Sequence, residues 1–440
     1  MSNSQAVRQP FSFLVRVLGI EARELAAVAL SFVYFFCLLA AYFTLRSVRE
    51  AMAIAGGTQN IPWLFTGTFF LMLLATLVFS WVASRFPRKQ FLPWVYYFFI
   101  ANILIFFAAF RLAELNDVSQ IWIGRGFFVW LSVFNLFVVS VFWSFMADIW
   151  SKEQSRRLFG IISAGGSTGA LIGPLITGAV VVQIGFEYLL LLSAVLLTGA
   201  VLCVSRLRVW AVQQTPDPTA GSVGSDLPMG GTAWAGIRMV LTSRYFGAIA
   251  GALVIATFLG GATYMYMAEL VGEAFDTTDR RTQVYALLDA TTNALALIGQ
   301  LLIVKYSVRK LGVGMTLAIL PLVSIVGFAL LAVQPVLIVL AVLQVVRRSI
   351  TFGLTKPTTD MLYSVVSPEA RYKAKNFVET AIYRGGDLVS SWTIRMIGGI
   401  GLNGVALVCL PLAILWTVLA LLIGRDYARR DKAISEGAAP

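Results

Sequence analysis

Apolar runs long enough to cross a bilayer recur from one end of this chain to the other, and nothing else limits its fold as strongly. A membrane-crossing helix needs about 20 residues. Such runs fall near 25–46, 61–84, 91–112, 121–147, 158–182, 186–205, 245–268, 282–306, 313–334, 336–357, 377–400 and 403–424. Lipid offers the backbone no hydrogen bonds, so a run of this length must satisfy its own N–H and C=O groups as a helix. Composition agrees: 58% of the residues are hydrophobic and only 13% charged, where an ordinary soluble domain has roughly a quarter charged. The expected fold is an all-α membrane protein of about twelve transmembrane helices.

The formal charge of +12, from 34 basic and 22 acidic residues, would suggest nucleic acid in a soluble chain. Here its distribution is topological. With the N-terminus inside, the inward segments hold Arg85, Arg88 and Lys89; Lys152, Arg156 and Arg157; Arg206, Arg208, Arg238 and Arg244; Lys305, Arg309 and Lys310; Arg371, Lys373 and Lys375; and Arg425, Arg429, Arg430 and Lys432. The outward loops hold Glu114, Asp117 and Glu187, then Glu269, Glu273, Asp276 and Asp279 beside Arg280 and Arg281. The positive-inside rule therefore predicts cytoplasmic termini, with the lipid bilayer and not nucleic acid as the surrounding partner. The first apolar run is full length, which predicts an uncleaved anchor. Cys37, Cys203 and Cys409 sit far apart in apolar runs and read as small core residues. The chain has no histidine, so any proton coupling must use carboxylates. No nucleotide-hydrolysing Gly-x4-Gly-Lys motif occurs, which argues against ATP-driven pumping and against an enzyme, and no cofactor is implied.

Residues 213–226 are rich in Pro, Gly and Ser and read as a linker. The expected division is a six-helix half over 1–210, a cytoplasmic linker over 211–232 and a second six-helix half over 233–440. The halves look alike at an offset of about 220 residues, a parallel repeat that places substrate near the midplane between them. Ser80-x3-Ser84-Arg85-x-Pro87-Arg88-Lys89 resembles the inner-loop signature of the major facilitator superfamily, with Ser84 in place of its acid and Pro87 in place of a glycine.

Charge inside a span is expensive and points to function. On the first helix Arg46 and Arg49 share a face, with Glu50 one turn from Arg46; they form either a cationic wall for an anion or an intrahelical pair snorkelling to headgroups. The second half offers Arg347 and Arg348 in the tenth helix, Lys356 near its inner end, Arg384 and Asp387 in the eleventh, and Arg395 deeper along it. Guanidinium suits carboxylate and phosphate oxygens, although Arg384 and Asp387 can also bridge each other. Asp289 is a lone intramembrane carboxylate, a candidate for coupling or for pairing with a cavity arginine. Gly165-x3-Gly169-x3-Gly173-Pro174 on the fifth helix reads as close helix packing, or as the glycine-proline motif of proton-coupled drug antiporters.

At Thr44-Leu45-Arg46-Ser47-Val48-Arg49-Glu50, Val141-Phe142-Trp143-Ser144-Phe145, Leu288-Asp289-Ala290-Thr291-Thr292 and Tyr372-Lys373-Ala374-Lys375-Asn376-Phe377 the chain resembles the ATP/ADP translocase family, whose members exchange nucleotides. The resemblance implies that Arg49 stands where that family has a first-helix lysine, that Asp289 is its eighth-helix acid and that Arg384 lies in its eleventh-helix basic region. The fourth helix departs from it: residues 129–147 hold no carboxylate, leaving Asn135 and serines. The resulting expectation is a secondary transporter, working as a monomer, for a small organic or phosphate-bearing anion. Arg46, Arg49, Asn135, Arg347, Lys356, Lys375 and Arg384 would bind that anion, with Asp289 and Asp387 coupling or gating. An exporter of drugs or amphipathic compounds, and a non-transporting membrane partner, remain the alternatives.

Overall fold

A computed structural model describes residues 20–21, 23–85, 88–214, 233–367, 370, 374–375 and 377–436. Most of the expected linker, with Pro87, Arg371 and Lys373, lies outside them, as do the side chains of Ser80, Ser84, Arg88 and Lys89. The spans are α1 (Leu25–Ala55), α2 (Ile61–Arg85), α3 (Arg88–Leu115), α4 (Ile121–Ile149), α5 (Lys152–Ile184) and α6 (Phe186–Gln214). After a short helix at Ala233–Thr242 come α7 (Arg244–Ala274), α8 (Thr278–Ile298), α9 (Val304–Val333), α10 (Leu337–Ile350), α11 (Tyr383–Ile397) and α12 (Gly401–Ser435).

Among the described residues, ten uninterrupted runs are long and apolar enough to cross a membrane, and two of them, Thr278–Val333 and Tyr383–Ser435, are 56 and 53 residues long. At about 1.5 Å per residue each would be far longer than the ~30 Å core. Each folds back at a glycine in the left-handed region: Gly312 at φ 76° and Gly401 at φ 72°. A residue with a Cβ resists that conformation, so these two glycines turn ten runs into the twelve crossings expected from the sequence.

The helices group into two compact units, one of Met1–Arg49 and Met72–Asp226, the other of Glu50–Leu71 and Leu227–Pro440. In the first unit α1 and α5 meet backbone to backbone. A Cβ built on Gly165 would sit 2.3 Å from the Phe32 carbonyl oxygen, on Gly169 2.3 Å from that of Phe36, and on Gly173 2.7 Å from that of Ala40. The glycine stripe is thus a packing surface. The same pair is tied at its N-terminal ends. Ser151 and Gln154 form a capping box on α5, which satisfies two of the helix's orphan donors. Gln154 Nε2 also donates to Glu24 Oε1 (2.8 Å), as does Arg157 Nη2 (2.9 Å). Burial raises the Glu24 carboxyl, but the Gln154, Glu21 N–H and Arg157 contacts outweigh it and hold the group below its ordinary value. Phe35 stacks on Phe142 at 4.0 Å, and Tyr34 bonds Tyr96 within the same aromatic core.

In the second unit α9 and α12 touch at Gly314 and Gly424, where an added Cβ on Gly424 would lie 2.1 Å from the Gly314 Cα. Gly386 of α11 lies against Thr257 of α7 in the same way, at 2.4 Å, whereas Gly385 faces open space. Among the described residues three spans carry a π turn: α8 continues through one at Gly299–Ile303, α10 through one at Thr351–Thr355, and α11 is entered through Val378–Ile382. The first two face each other, with Gly353 packed on Ala296 and Gly299 and Gln300 Nε2 donating to the Phe352 carbonyl (3.0 Å).

Candidate functional site

The second unit buries an ion pair across α8 and α10: Arg348 Nη1 lies 2.7 Å from Asp289 Oδ1, with the carboxylate 3% exposed and the guanidinium 20%. α8 presents Asp289 on the face that also holds Thr282, Tyr285 and Thr292, all buried, the i, i+3, i+7 spacing of a helical stripe. Alongside, Ser349 Oγ lies 2.7 Å from the Val345 carbonyl of its own helix and 3.2 Å from the Thr292 carbonyl of α8, so α8 and α10 approach closely here. Tyr285 lies within electrostatic reach of Glu50, Asp289, Arg281 and Arg348. Glu50 is itself only 4% exposed and accepts a hydrogen bond from Tyr264 Oη of α7 (2.5 Å). Two carboxylates, two arginines and two tyrosines thus share one region of a span-rich unit, where charge persists only when it is partnered. The π turn that begins three residues after Arg348 is a register irregularity of the kind that recurs at functional sites.

Arg347, one residue before, faces elsewhere. It is 6% exposed. Its Nε donates to Ser324 Oγ of α9 (3.1 Å), and Nη1 donates to the Leu259 carbonyl (2.9 Å) and Thr263 Oγ1 (3.1 Å) of α7. It joins three helices. Near the other end of this crossing, Lys356 Nζ lies 2.5 Å from Glu379 Oε1 and 3.4 Å from Asp360 Oδ1, and Lys375 Nζ lies 2.8 Å from Asp360 Oδ1 and 3.9 Å from Glu379 Oε1. The four charges cancel. Arg384 Nη1 is 3.8 Å from Asp387 Oδ2, a loose bridge between partly exposed groups, and its guanidinium lies 5.6 Å from the Tyr383 ring centre.

In the first unit the half-buried Arg49 reaches α4. Its guanidinium carbon lies 4.8 Å from the Phe128 ring centre and Nη1 is 3.4 Å from Ser132 Oγ. Asn135 follows on that face of α4 at i+7 from Phe128. Arg46 stacks on Phe43 of its own helix, 5.6 Å from the ring centre. The sequence-predicted residues are therefore dispersed: Arg46, Arg49 and Asn135 lie in the first unit, Asp289 pairs with Arg348, Arg347 is tied to α7 and α9, Arg384 bridges to Asp387, and Lys356 and Lys375 sit in a separate four-charge network. Glu50, Tyr264 and Tyr285 were not singled out for function by sequence reasoning; the one available signal was the i, i+4 spacing of Tyr285 and Asp289.

The family model of the Major Facilitator Superfamily matches residues 25–386. The chain belongs to the major facilitator superfamily. As a member it is a multi-pass membrane transporter and not an enzyme. It is similar to ADP,ATP carrier protein 2 of Chlamydia pneumoniae, 21% identical, over 88% of this chain and 86% of that one. Its fold resembles a bacterial homologue of the iron transporter ferroportin in its inward-facing state, with a TM-score of 0.66 at 13% identity over 91% of this chain and 99% of that one. It also resembles the nucleoside transporter NupG, with a TM-score of 0.51 at 16% identity over 92% and 98% of the two chains. At those identities the two structures speak to the superfamily fold alone.

Proposed function

We propose that this superfamily member moves a small organic, phosphate-bearing anion of the nucleotide class by alternating access. The observation that carries the reading is the Arg348–Asp289 pair: a partly exposed guanidinium inside a span, held by a carboxylate that is almost sealed. An anionic solute competes for such a guanidinium with the same kind of charged oxygen that the carboxylate presents, and the planar guanidinium fork can take two such oxygens. Arg46, Arg49 and Asn135 in the first unit and Arg384 in the second are the further candidate ligands for the anion in this reading. Asp289 couples, since losing Arg348 to the solute leaves it to find another cation. Arg347, Lys356 and Lys375 support the scaffold in this reading. The similarity to a chlamydial ADP,ATP carrier favours nucleotides among phosphate-bearing anions.

The positive-inside pattern supports cytoplasmic termini, and we place the chain in a bacterial inner membrane as a monomer as part of the same proposal. The glycine stripe of α5 is accounted for by packing on α1, so the drug-export reading has no observation of its own. The test is exchange of labelled ADP by the purified chain in vesicles, with a thermal-shift screen of nucleotides, sugar phosphates and dicarboxylates beside it. Arg49→Ala and Arg384→Ala should each abolish flux while expression persists. Normal flux in both variants would overturn the anion reading.

A further inference from the structure

Within the second unit α8 and α10 advance side by side and in step. Asp289 meets Arg348 at 2.7 Å, the Thr292 carbonyl lies 3.2 Å from Ser349 Oγ, and a Cβ built on Gly353 would sit 3.3 Å from the Ala296 Cα. The seam between them holds two sealed oxygens with nothing to bind. Thr292 is 0% and Gln344 5% exposed, and neither Thr292 Oγ1 nor Gln344 Oε1 has a hydrogen-bond partner among the described residues. Thr292 follows Asp289 at i+3, on the same buried face of α8. Gln344 stands one turn before Arg348 on α10, about 40° around the helix from it, so both side chains lie on the faces that bring Asp289 and Arg348 together. The neighbouring Thr291 shows what a helical hydroxyl ordinarily does: its Oγ1 donates to the Leu287 carbonyl (2.8 Å). Thr292 makes no such bond.

Leaving a buried amide or hydroxyl oxygen unbound forfeits the water it gave up on folding, so two of them beside one carboxylate need a common explanation. A carboxylate, an amide oxygen and a hydroxyl oxygen are the donor set of a hard cation. Its charge is set by what it replaces. Arg348 brings one positive charge to Asp289, so a single positive charge restores the balance when the guanidinium leaves, whereas a divalent ion would overshoot it. Zinc and calcium also lack their usual ligands, since the described residues hold no group of three His, Cys, Asp or Glu side chains. A proton on Asp289 would supply one donor, enough for one of the two oxygens. A metal cation bonds all three groups at once.

We infer that Asp289, Thr292 and Gln344 form a binding site for a monovalent alkali cation, which takes the place of Arg348 on Asp289 when an anionic solute draws the guanidinium away. The site rests on the proposed reading of Asp289 as the coupling carboxylate, and names its counter-charge: solute and cation bind together, because each depends on the Arg348–Asp289 pair having opened. Thr292 and Gln344 contribute nothing to holding the solute. They select the cation.

Sodium is the probe, and the full chain purified in detergent is the material. Arg348→Ala removes the competing guanidinium, so sodium chloride should raise its unfolding midpoint by several degrees over choline chloride at equal ionic strength, with a smaller rise in the wild type. Arg348→Gln, which keeps more of the side-chain volume, should behave alike. Adding Thr292→Val or Gln344→Leu to either variant should remove most of the rise, and adding Asp289→Asn all of it. Independently of how those variants fold, the wild type should bind radiolabelled sodium saturably and Asp289→Asn should not. Absence of saturable sodium binding by the wild type overturns the site, as does a sodium-induced rise that survives both Thr292→Val and Gln344→Leu. Stabilisation of the Arg348 variants by acid, with sodium no better than choline, makes the counter-charge a proton and overturns it too. None of these measurements contains a solute. A protein that binds sodium as expected but shows no thermal shift with ADP therefore refutes the nucleotide reading alone, and the reverse result refutes the cation site alone.

Discussion

Replacing Gly169 by alanine tests the α1–α5 contact most directly, because its effect follows from one short distance. The new methyl would sit 2.3 Å from the Phe36 carbonyl oxygen and 2.9 Å from the Ala40 nitrogen, where carbon and oxygen rest at about 3.3 Å or more. Neither obstacle is a flexible side chain. α5 must therefore withdraw by roughly 1 Å, a gap that forfeits a quarter to a half of the dispersion attraction across it. The neighbouring contacts at Gly165 and Gly173 open with it, since an added Cβ there would lie 2.3 and 2.7 Å from α1 carbonyl oxygens. Overpacking of this kind costs about 2–3 kcal/mol, the upper part of its usual range. Gly160 on the same helix has nothing within 4 Å of an added Cβ, so Gly160→Ala should be neutral or stabilise by up to about 1 kcal/mol through helix propensity. The assay is the unfolding midpoint of detergent-purified protein followed by tryptophan fluorescence, with vesicle flux measured beside it. A Gly169→Ala variant that melts with the wild type refutes the packing argument, as does a Gly160→Ala variant that is equally damaged. Lost flux at unchanged stability would instead restore the antiporter-motif reading of the stripe.

Three further perturbations separate the remaining claims. Because Glu24 titrates below its ordinary value of 4.5 when folded, its ionised form contributes stability that is complete above about that pH and lost as pH falls through the folded value; the midpoint gap between wild type and Glu24→Gln should hold from pH 7 to 5 and close below pH 4.5. Arg348→Ala strands the Asp289 carboxylate and should cost about 3–5 kcal/mol, most of it recovered when Asp289→Asn is added, and a double-mutant cycle in the same unfolding assay reads the coupling. Arg347→Ala should lower stability by about 3 kcal/mol, from the lost packing and the three lost hydrogen bonds to Ser324, Leu259 and Thr263, with no recovery on adding Asp289→Asn.

The crossings were legible because a span must be long and apolar. Even the two places where the helical run does not break visibly fell at Gly312 and Gly401, between the eighth and ninth and the eleventh and twelfth apolar runs. The α5 stripe was legible as small residues at fourfold spacing, though its partner face on α1, Phe32, Phe36 and Ala40, carries no signal because there the contact is through backbone. The site was only partly readable. Asp289 stood out as charge in an apolar run, but its partner was undetermined, since an i, i+3 or i, i+4 rule speaks only within one helix. Lys356 and Lys375 were read as solute ligands, and in the fold they lie among Asp360 and Glu379; pairing across sequence separations of that kind is set by tertiary register. Glu50 was hidden differently: its i−4 neighbour Arg46 offered a complete local explanation, while Tyr264, 214 residues away, donates to it.

Arg347 and Arg348 show why counting charges in a span finds candidates but does not assign them. Adjacent helical residues point about 100° apart, and that rotation alone puts one guanidinium among Ser324, Leu259 and Thr263 and the other against Asp289. Arg347 meets only neutral acceptors in these contacts, three of them fixed by helices on either side, so moving it breaks bonds without transferring charge to anything that could carry the event further. Arg348 meets a carboxylate, and whatever competes for it must be an anion. When that competitor arrives, the displaced negative charge stays with Asp289 at a depth where an uncompensated carboxylate is costly. In the proposed mechanism the pair links solute occupancy to the ionic state of a second group, which a neutral hydrogen-bonding set cannot do. If the protein couples its solute to a cation, the linkage should run through Arg348 and Asp289 and leave Arg347 indifferent, and the contrast between Arg348→Ala and Arg347→Ala in the pH dependence of flux would decide it.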